Sequence, residues 1–71
     1  GMPRTFAAIH ETDDAAGNAH DDLIASGYPR EKVYFERGTA EVKVIAPVDT
    51  APEAREILGR HRPSSISEDE I

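Results

Sequence analysis

The chain contains no cysteine and no tryptophan, and two tyrosines and two phenylalanines are its only aromatic residues. The absence of cysteine excludes disulfide cross-links, thiol nucleophiles and zinc sites built on cysteine. No apolar stretch reaches the roughly 20 residues that a membrane-spanning helix requires, and there is no signal-peptide core. We therefore expect a soluble, cytoplasmic protein with no membrane partner.

Positive charge is also scarce, because 14 acidic residues outnumber 8 lysines and arginines and leave a net charge of -6. A field of this sign repels a phosphate backbone at long range. We therefore expect no nucleic-acid partner, although one basic and aromatic stretch, residues 27–47, needs a separate test.

The length of 71 residues allows one small domain, which we place at residues 3–71. Gly1 and Met2 are interpreted as a tag remnant and the start methionine. A domain of this size buries only about 60% of the surface of its unfolded chain. Where disulfides and metals are missing, oligomerisation is a common way to add stability.

The first third of the chain predicts a strand followed by a helix. Residues 5–10 have two largely apolar faces, which is typical of a central strand covered on both sides. Residues 11–28 predict a helix that Thr12 or Asp13 caps and that Gly27 ends in a left-handed conformation. The expected buried stripe of this helix consists of Ala16, Ala19 and Leu23.

Two alternating runs, residues 31–36 and 40–46, predict an antiparallel hairpin. The short RGT connection between them contains the glycine that a tight turn requires. The side chains expected to face the core are Val33, Phe35, Val42, Val44 and Ala46.

Residues 49–62 predict a second helix, in which Thr50 and Glu53 match the capping-box pattern. Its expected buried stripe consists of Ala54, Ile57, Leu58 and His61. The basic residues 60–62 would complement the helix dipole. Residues 64–71 predict either a charged edge strand or a loose tail.

The resulting order, β-α-β-β-α-β, predicts a ferredoxin-like α+β sandwich. In this fold an antiparallel sheet carries two helices on one face and leaves the other face open. An open face needs to be wet or covered by another molecule. Tyr34, Lys43 and Ile45 are expected on that face, and we identify them as interface candidates for a homodimer with two-fold symmetry.

The ferredoxin-like prediction requires a test against the RNA-recognition motif, whose third strand carries the pattern K/R-G-F/Y-G/A-F-V-x-F/Y. The scaffold positions of that pattern are matched by Arg37, Gly38, Ala40 and Val42. The positions of its stacking rings hold Thr39, Glu41 and Val44. Because stacking supplies about 1–3 kcal/mol per base, we expect no RNA binding.

Three histidines invite a metal or acid-base hypothesis, since His10 and His20 are followed by carboxylates. No pair of them has the spacing of H-E-x-x-H, and no nucleophile elbow or phosphate-binding glycine loop is present. We therefore predict no metal, no cofactor and no catalytic residue. A weaker alternative is an enzyme that uses His10 beside Tyr34 as an acid or base.

Two stretches, residues 11–35 and 36–71, resemble the bacterial heat-induced general-stress-protein domain of the YflT type. The shared features are an acidic turn, an alanine-spaced helix with a Gly-aromatic end, a valine-rich strand after a glycine, and a helix ending near I-L-x-x-H. The chain departs from that family in having only a hairpin as its middle segment and in having His10 where an aromatic residue is expected. The resemblance implies a small bacterial domain linked to stress response, and it implies no catalytic residues.

These observations predict a non-enzymatic interaction or regulatory module that acts as a homodimer. The alternative is a small-ligand sensor in the manner of ACT domains, with a site at the dimer seam. A sensor requires a partly polar pocket at that seam, whereas an interaction module requires only a flat, partly apolar patch.

Overall fold

A computed structural model of the chain describes residues 1–70. In chain order its elements are β1 (Arg4–His10), α1 (Asp13–Ala25), β2 (Val33–Phe35), β3 (Glu41–Ala46), α2 (Ala51–Gly59) and β4 (Pro63–Glu70). A short 3-10 turn, Arg30–Lys32, precedes β2. Ile71, the last residue of the predicted C-terminal segment 64–71, lies outside the described residues.

The strands form one antiparallel sheet in the order β2-β3-β1-β4. Both helices pack on the same face of this sheet and against each other, as their shared core cluster requires. The predicted ferredoxin-like α+β fold is therefore confirmed, and β1 lies in the interior of the sheet as expected. Among residues 1–70, however, helices cover only one face of β1, so the prediction that both of its sides are covered is wrong.

The core lies between the helices and the sheet, and its largest fully buried side chains come from both halves of the chain: Phe6, Leu23, Val42, Val44, Ile57 and Leu58. The predicted stripe of α1 is fully buried, which confirms it. In α2 the predicted stripe is confirmed except at His61, which lies beyond the end of the helix and is half-buried.

Both ends of α1 form as predicted. The Thr12 hydroxyl accepts a hydrogen bond from the Ala15 backbone N–H at 3.0 Å, which identifies Thr12 as the N-cap. Gly27 has a φ of 107°. Its N–H and that of Tyr28 donate to the carbonyls of Ile24 and Leu23 at 3.0 and 3.1 Å, the paired bonds of a Schellman ending.

The β2–β3 hairpin is confirmed, with Tyr34 opposite Lys43, but it is less tight than predicted. The first run, predicted as a strand over residues 31–36, is shorter because its start belongs to the 3-10 turn. The connection spans residues 36–40, and Asp13 accepts hydrogen bonds from two of its backbone N–H groups, Gly38 at 2.6 Å and Ala40 at 3.0 Å. This carboxylate, predicted only as a possible cap, therefore ties α1 to the hairpin loop.

The predicted capping box of α2 is wrong. Thr50 has φ -106° and ψ 2°, outside the extended conformation that an N-cap with a side-chain bond adopts, and its side chain caps no N–H. The Thr50 N–H donates to the Pro47 carbonyl at 3.0 Å, so a turn holds the backbone away from the capping geometry. The helix also ends at Gly59, before the predicted residues 60–62, and Arg62 has a φ of 58° where the chain turns into β4.

The alternative left open for the C-terminal segment is settled for residues 63–70, which form the edge strand β4. Its partner is β1, from Arg4 opposite Glu70 to Ile9 opposite Ser65. The register then shifts, so that Ser64 is an extra residue opposite the step from Ile9 to His10.

Candidate functional site

One face of the sheet has no helix on it, and we call it the open face. Because residues directly opposite each other in antiparallel strands point to the same side, the registers define its members. They are Thr5, Ala7 and Ile9 on β1, Tyr34 on β2, Glu41, Lys43 and Ile45 on β3, and Ser65, Ser67 and Asp69 on β4. The alternating burial of β1 and β3 gives the same assignment.

The structure brings all three predicted interface residues onto this face. Tyr34 lies directly opposite Lys43 on adjacent strands, and Ile45 follows Lys43 on the same side of β3. The side chain of Tyr34 is 50% exposed, Lys43 is exposed and Ile45 is half-buried. The open face therefore presents a contiguous group of these side chains to its surroundings.

Ile9 is a member of the open face that was not singled out from the sequence. It is 44% exposed, although a large aliphatic side chain gains from burial. The signal was available in the alternation of the first strand, where Thr5, Ala7 and Ile9 share one side. The prediction that both sides of this strand would be covered obscured it.

The charges of the open face have both signs. Glu41 flanks Lys43 on β3, and Asp69 lies on β4. Among residues 1–70, none of the ion pairs involves Lys43 or Asp69. Tyr34 is oriented by its hydroxyl, which donates to the Glu31 carbonyl at 2.6 Å. The aromatic ring is thereby connected to the 3-10 turn.

His10 and Tyr34 do not form a site, so the hypothesis of an acid-base pair between them is wrong. His10 lies on the helix-covered side of β1 and is 2% exposed, whereas Tyr34 lies on the open face. The Nε2 of His10 donates to the Leu58 carbonyl at 3.3 Å, and its Nδ1 has no hydrogen-bond partner. This imidazole packs under α2, away from solvent and from any exposed substrate.

The other two histidines pair with carboxylates of α1 at separate places. The Nδ1 of His20 lies 3.0 Å from a carboxylate oxygen of Asp21. The Nε2 of His61 lies 2.9 Å from a carboxylate oxygen of Asp22, which Arg60 approaches to 3.7 Å. Within residues 1–70, no group of three or more histidines and carboxylates is arranged to hold a metal ion.

A cavity of about 510 Å³ opens at the end of the open face where Ile45 lies. Its other lining residues include the charged side chains of Lys32 and Asp49, and the rest are Gly1, Pro3, Pro29, Pro47 and Val48. This cavity was not predicted, because it is formed by segments that end at the same edge of the sheet although they are distant in the sequence. The prolines that follow Tyr28 and Ala46 were the available signal, since each stops an element there.

The described part of the chain holds two helices, and neither combines the length and apolar character needed to cross a membrane. Comparisons of the chain with protein-family models, with curated proteins and with solved structures give no match. The resemblance to the general-stress-protein domain therefore stays a prediction. The open face and the cavity beside it are the two candidate functional sites.

Proposed function

We propose that this protein is a non-enzymatic interaction module that forms a homodimer through its open face. The observation that carries the proposal is the exposure of Tyr34 and Ile9, 50% and 44%, on a sheet face that both helices leave uncovered. Covering such side chains removes apolar surface from water and is worth about 25 cal/mol per Å².

A second copy suits this face because of its mixed charge. In a two-fold contact each patch meets itself, so Lys43 of one copy can lie near Glu41 or Asp69 of the other. Neither Lys43 nor Asp69 has an ion-pair partner within the described chain, as stated above. A self-complementary arrangement would satisfy these charges without any other protein.

The small size of the domain gives dimerisation a physical advantage. The described chain has 4255 Å² of accessible surface, and a standard interface covers about 800 Å² per partner. Such a contact would bury close to a fifth of that surface. The biological setting in this proposal is the bacterial cytoplasm under stress, which rests on the composition and on the sequence resemblance alone.

The test is the mass in solution at high micromolar concentration, by sedimentation equilibrium. We expect at least twice the monomer mass of 7.7 kDa. Ile9→Lys and Tyr34→Lys should each raise the dissociation constant about tenfold or more, because each places a charge inside the contact. Asn18→Lys, on the exposed side of α1, is the matched control and should leave it unchanged. A monomer mass for the unmodified chain would contradict the proposal.

A ligand sensor is the second candidate, and the cavity beside Ile45 is the observation that favours it. An apolar wall that carries the charged side chains of Lys32 and Asp49 matches a small amphoteric molecule with an apolar part. The test is the melting temperature in the presence of leucine, valine or phenylalanine at millimolar concentration. A rise that Lys32→Ala and Asp49→Asn abolish supports the sensor, and no rise with any of the three contradicts it.

A further inference from the structure

The outer edge of β4 is a second unpartnered feature of the sheet, distinct from the open face. We infer that β4 pairs with β4 of a second copy, antiparallel, around a two-fold axis perpendicular to the sheet. The two sheets then join edge to edge into one continuous sheet with all helices on the same side. This pairing does not depend on the open-face contact, because it uses a different surface.

The two edges of the sheet differ in what they offer a partner. β2 has three residues, whereas β4 has eight and lies at the opposite edge. A strand of that length presents a row of backbone N–H and C=O groups along its free side. Ile66, in the middle of β4, is half-buried against the core and has apolar surface left to cover.

The charge distribution along β4 selects a second copy as the occupant. Arg62 immediately precedes the strand, and Glu68, Asp69 and Glu70 end it. Antiparallel pairing around a two-fold axis therefore brings the basic start of one strand to the acidic end of the other, at both ends of the contact. Glu68 is bridged within the chain by Arg4 at 3.9 Å. Arg62 and Asp69 form no ion pair with another residue among those described.

The same charges select the register. The helices of both copies lie on one side of the joined sheet only if opposed residues point to the same side. The two-fold axis must therefore lie between the two copies of one and the same residue. The extra residue Ser64 shifts Pro63 and Arg62 by one position relative to Ser65–Glu70. With the axis at Ile66, Arg62 therefore lies opposite Asp69 of the other copy, whereas with the axis at Ser67 it lies one position beyond Glu70. We therefore place the axis at Ile66.

A cysteine scan tests this register directly, because the chain has no cysteine of its own. With the axis at Ile66, the two Cys side chains of Ile66→Cys face each other at a Cα separation of about 4.5–5.5 Å, which a disulfide spans. The same atoms in Ser65→Cys or Ser67→Cys lie diagonally, about 7–8 Å apart, which is too far. With oxidised glutathione as the oxidant, we expect a covalent dimer of Ile66→Cys at least tenfold faster than of the other two variants. Equal rates at all three positions, or no dimer, would overturn the inference.

A charge exchange provides the second measurement, which does not alter Ile66. Arg62→Glu faces Asp69 of the partner and should weaken the edge contact about tenfold, as should Asp69→Arg. The double variant restores opposite charges and should regain the affinity of the unmodified chain. Failure of the double variant to recover would overturn the pairing.

All of these variants are to be studied on a background that carries both Ile9→Lys and Tyr34→Lys, which together disable the open-face contact. Dimers that persist on this background report the edge contact alone, and their absence overturns it. The part of the association that Ile9→Lys removes from an otherwise unmodified chain reports the open face. Failure of one interface is thereby distinguished from failure of the other.

Discussion

The two halves of the chain have the same order of elements and differ at their ends. In the first half, α1 has 13 residues, a side-chain cap at Thr12 and a Schellman ending at Gly27. In the second half, α2 has 9 residues, and Thr50 provides no side-chain cap. The strands that follow differ in the opposite sense, since β2 has three residues and β4 has eight.

The half with more capping hydrogen bonds therefore has the shorter edge strand, and the half with fewer has the longer one. The first half is held by its own hydrogen bonds, and Asp13 extends them to the hairpin loop. The second half ends in a long edge strand whose free side meets nothing within the described chain. Both proposed interfaces lie on the sheet. The helices cover its other face and form the core with it.

The largest effects should show that the halves nevertheless share one core. Leu23 in α1 and Leu58 in α2 are both fully buried in the same cluster. Leu23→Ala and Leu58→Ala should each lower the free energy of unfolding by about 2–5 kcal/mol, through lost apolar contact and the cavity left behind. Urea unfolding followed by circular dichroism should show a single transition in each variant.

The partly buried neighbour Ile24 is the control for this pair, and Ile24→Ala should cost clearly less than Leu23→Ala because the side chain keeps some contact with water. Two separate transitions, or loss of hydrogen-exchange protection in the altered half alone, would mean that the halves are independent units.

Replacing a glycine by alanine should change the free energy of unfolding with opposite signs in the two halves. Gly27 has a φ of 107°, with open space where a Cβ would lie, so Gly27→Ala should cost about 1–2 kcal/mol from backbone strain alone. Gly59 is the last helical residue of α2, also with open space around a Cβ. Gly59→Ala should therefore stabilise the protein by about 0.5–1 kcal/mol. Equal signs in thermal unfolding would contradict the two backbone conformations.

The caps distinguish the halves on a smaller scale. Thr12→Ala removes the acceptor of the Ala15 N–H and should cost about 1 kcal/mol. Thr50→Ala removes a hydroxyl that caps nothing and whose hydrogen bond to the Pro47 carbonyl is long, at 3.5 Å, so it should cost much less. Chemical unfolding of the two variants side by side is the measurement. A loss at Thr50 as large as that at Thr12 would indicate that the capping box forms in solution.

Sequence patterns were sufficient where a signal is local. The hairpin, the buried stripes and the left-handed end at Gly27 depend on spacing within one element, and the structure confirms them. The capping box failed because its pattern is satisfied by Thr50 and Glu53 alone, whereas the geometry depends on the preceding turn at Pro47.

The candidate site was predictable in part for the same reason. Alternation placed Tyr34, Lys43 and Ile45 on one side of the hairpin, and the sheet register bears this out. The loop contacts of Asp13 and the cavity beside Ile45 could not be predicted, since each joins segments that are distant in the chain. His10 was separated from Tyr34 by the sheet itself, and only the register shows on which side each lies.

The smallest expected effect concerns Tyr28, which connects the two halves. Its hydroxyl donates to the Thr50 carbonyl at 3.0 Å, from the end of α1 to the start of α2. Burial raises the pKa of Tyr28 above its ordinary value of 10.0; the hydrogen bond to Thr50 opposes this effect, and the Glu53 carboxylate adds to it. Because the folded state holds the phenolic proton more tightly than the unfolded chain, this contribution to stability is complete below pH 10. It is lost as the pH rises through the folded pKa.

Tyr28→Phe should cost about 0.5–1 kcal/mol at neutral pH and should make the free energy of unfolding less dependent on pH in that alkaline range. Tyr34→Phe is the matched control, since its hydroxyl is bonded at an exposed site, and it should cost less than Tyr28→Phe at neutral pH. An unchanged alkaline dependence in Tyr28→Phe would mean that this hydroxyl does not link the halves.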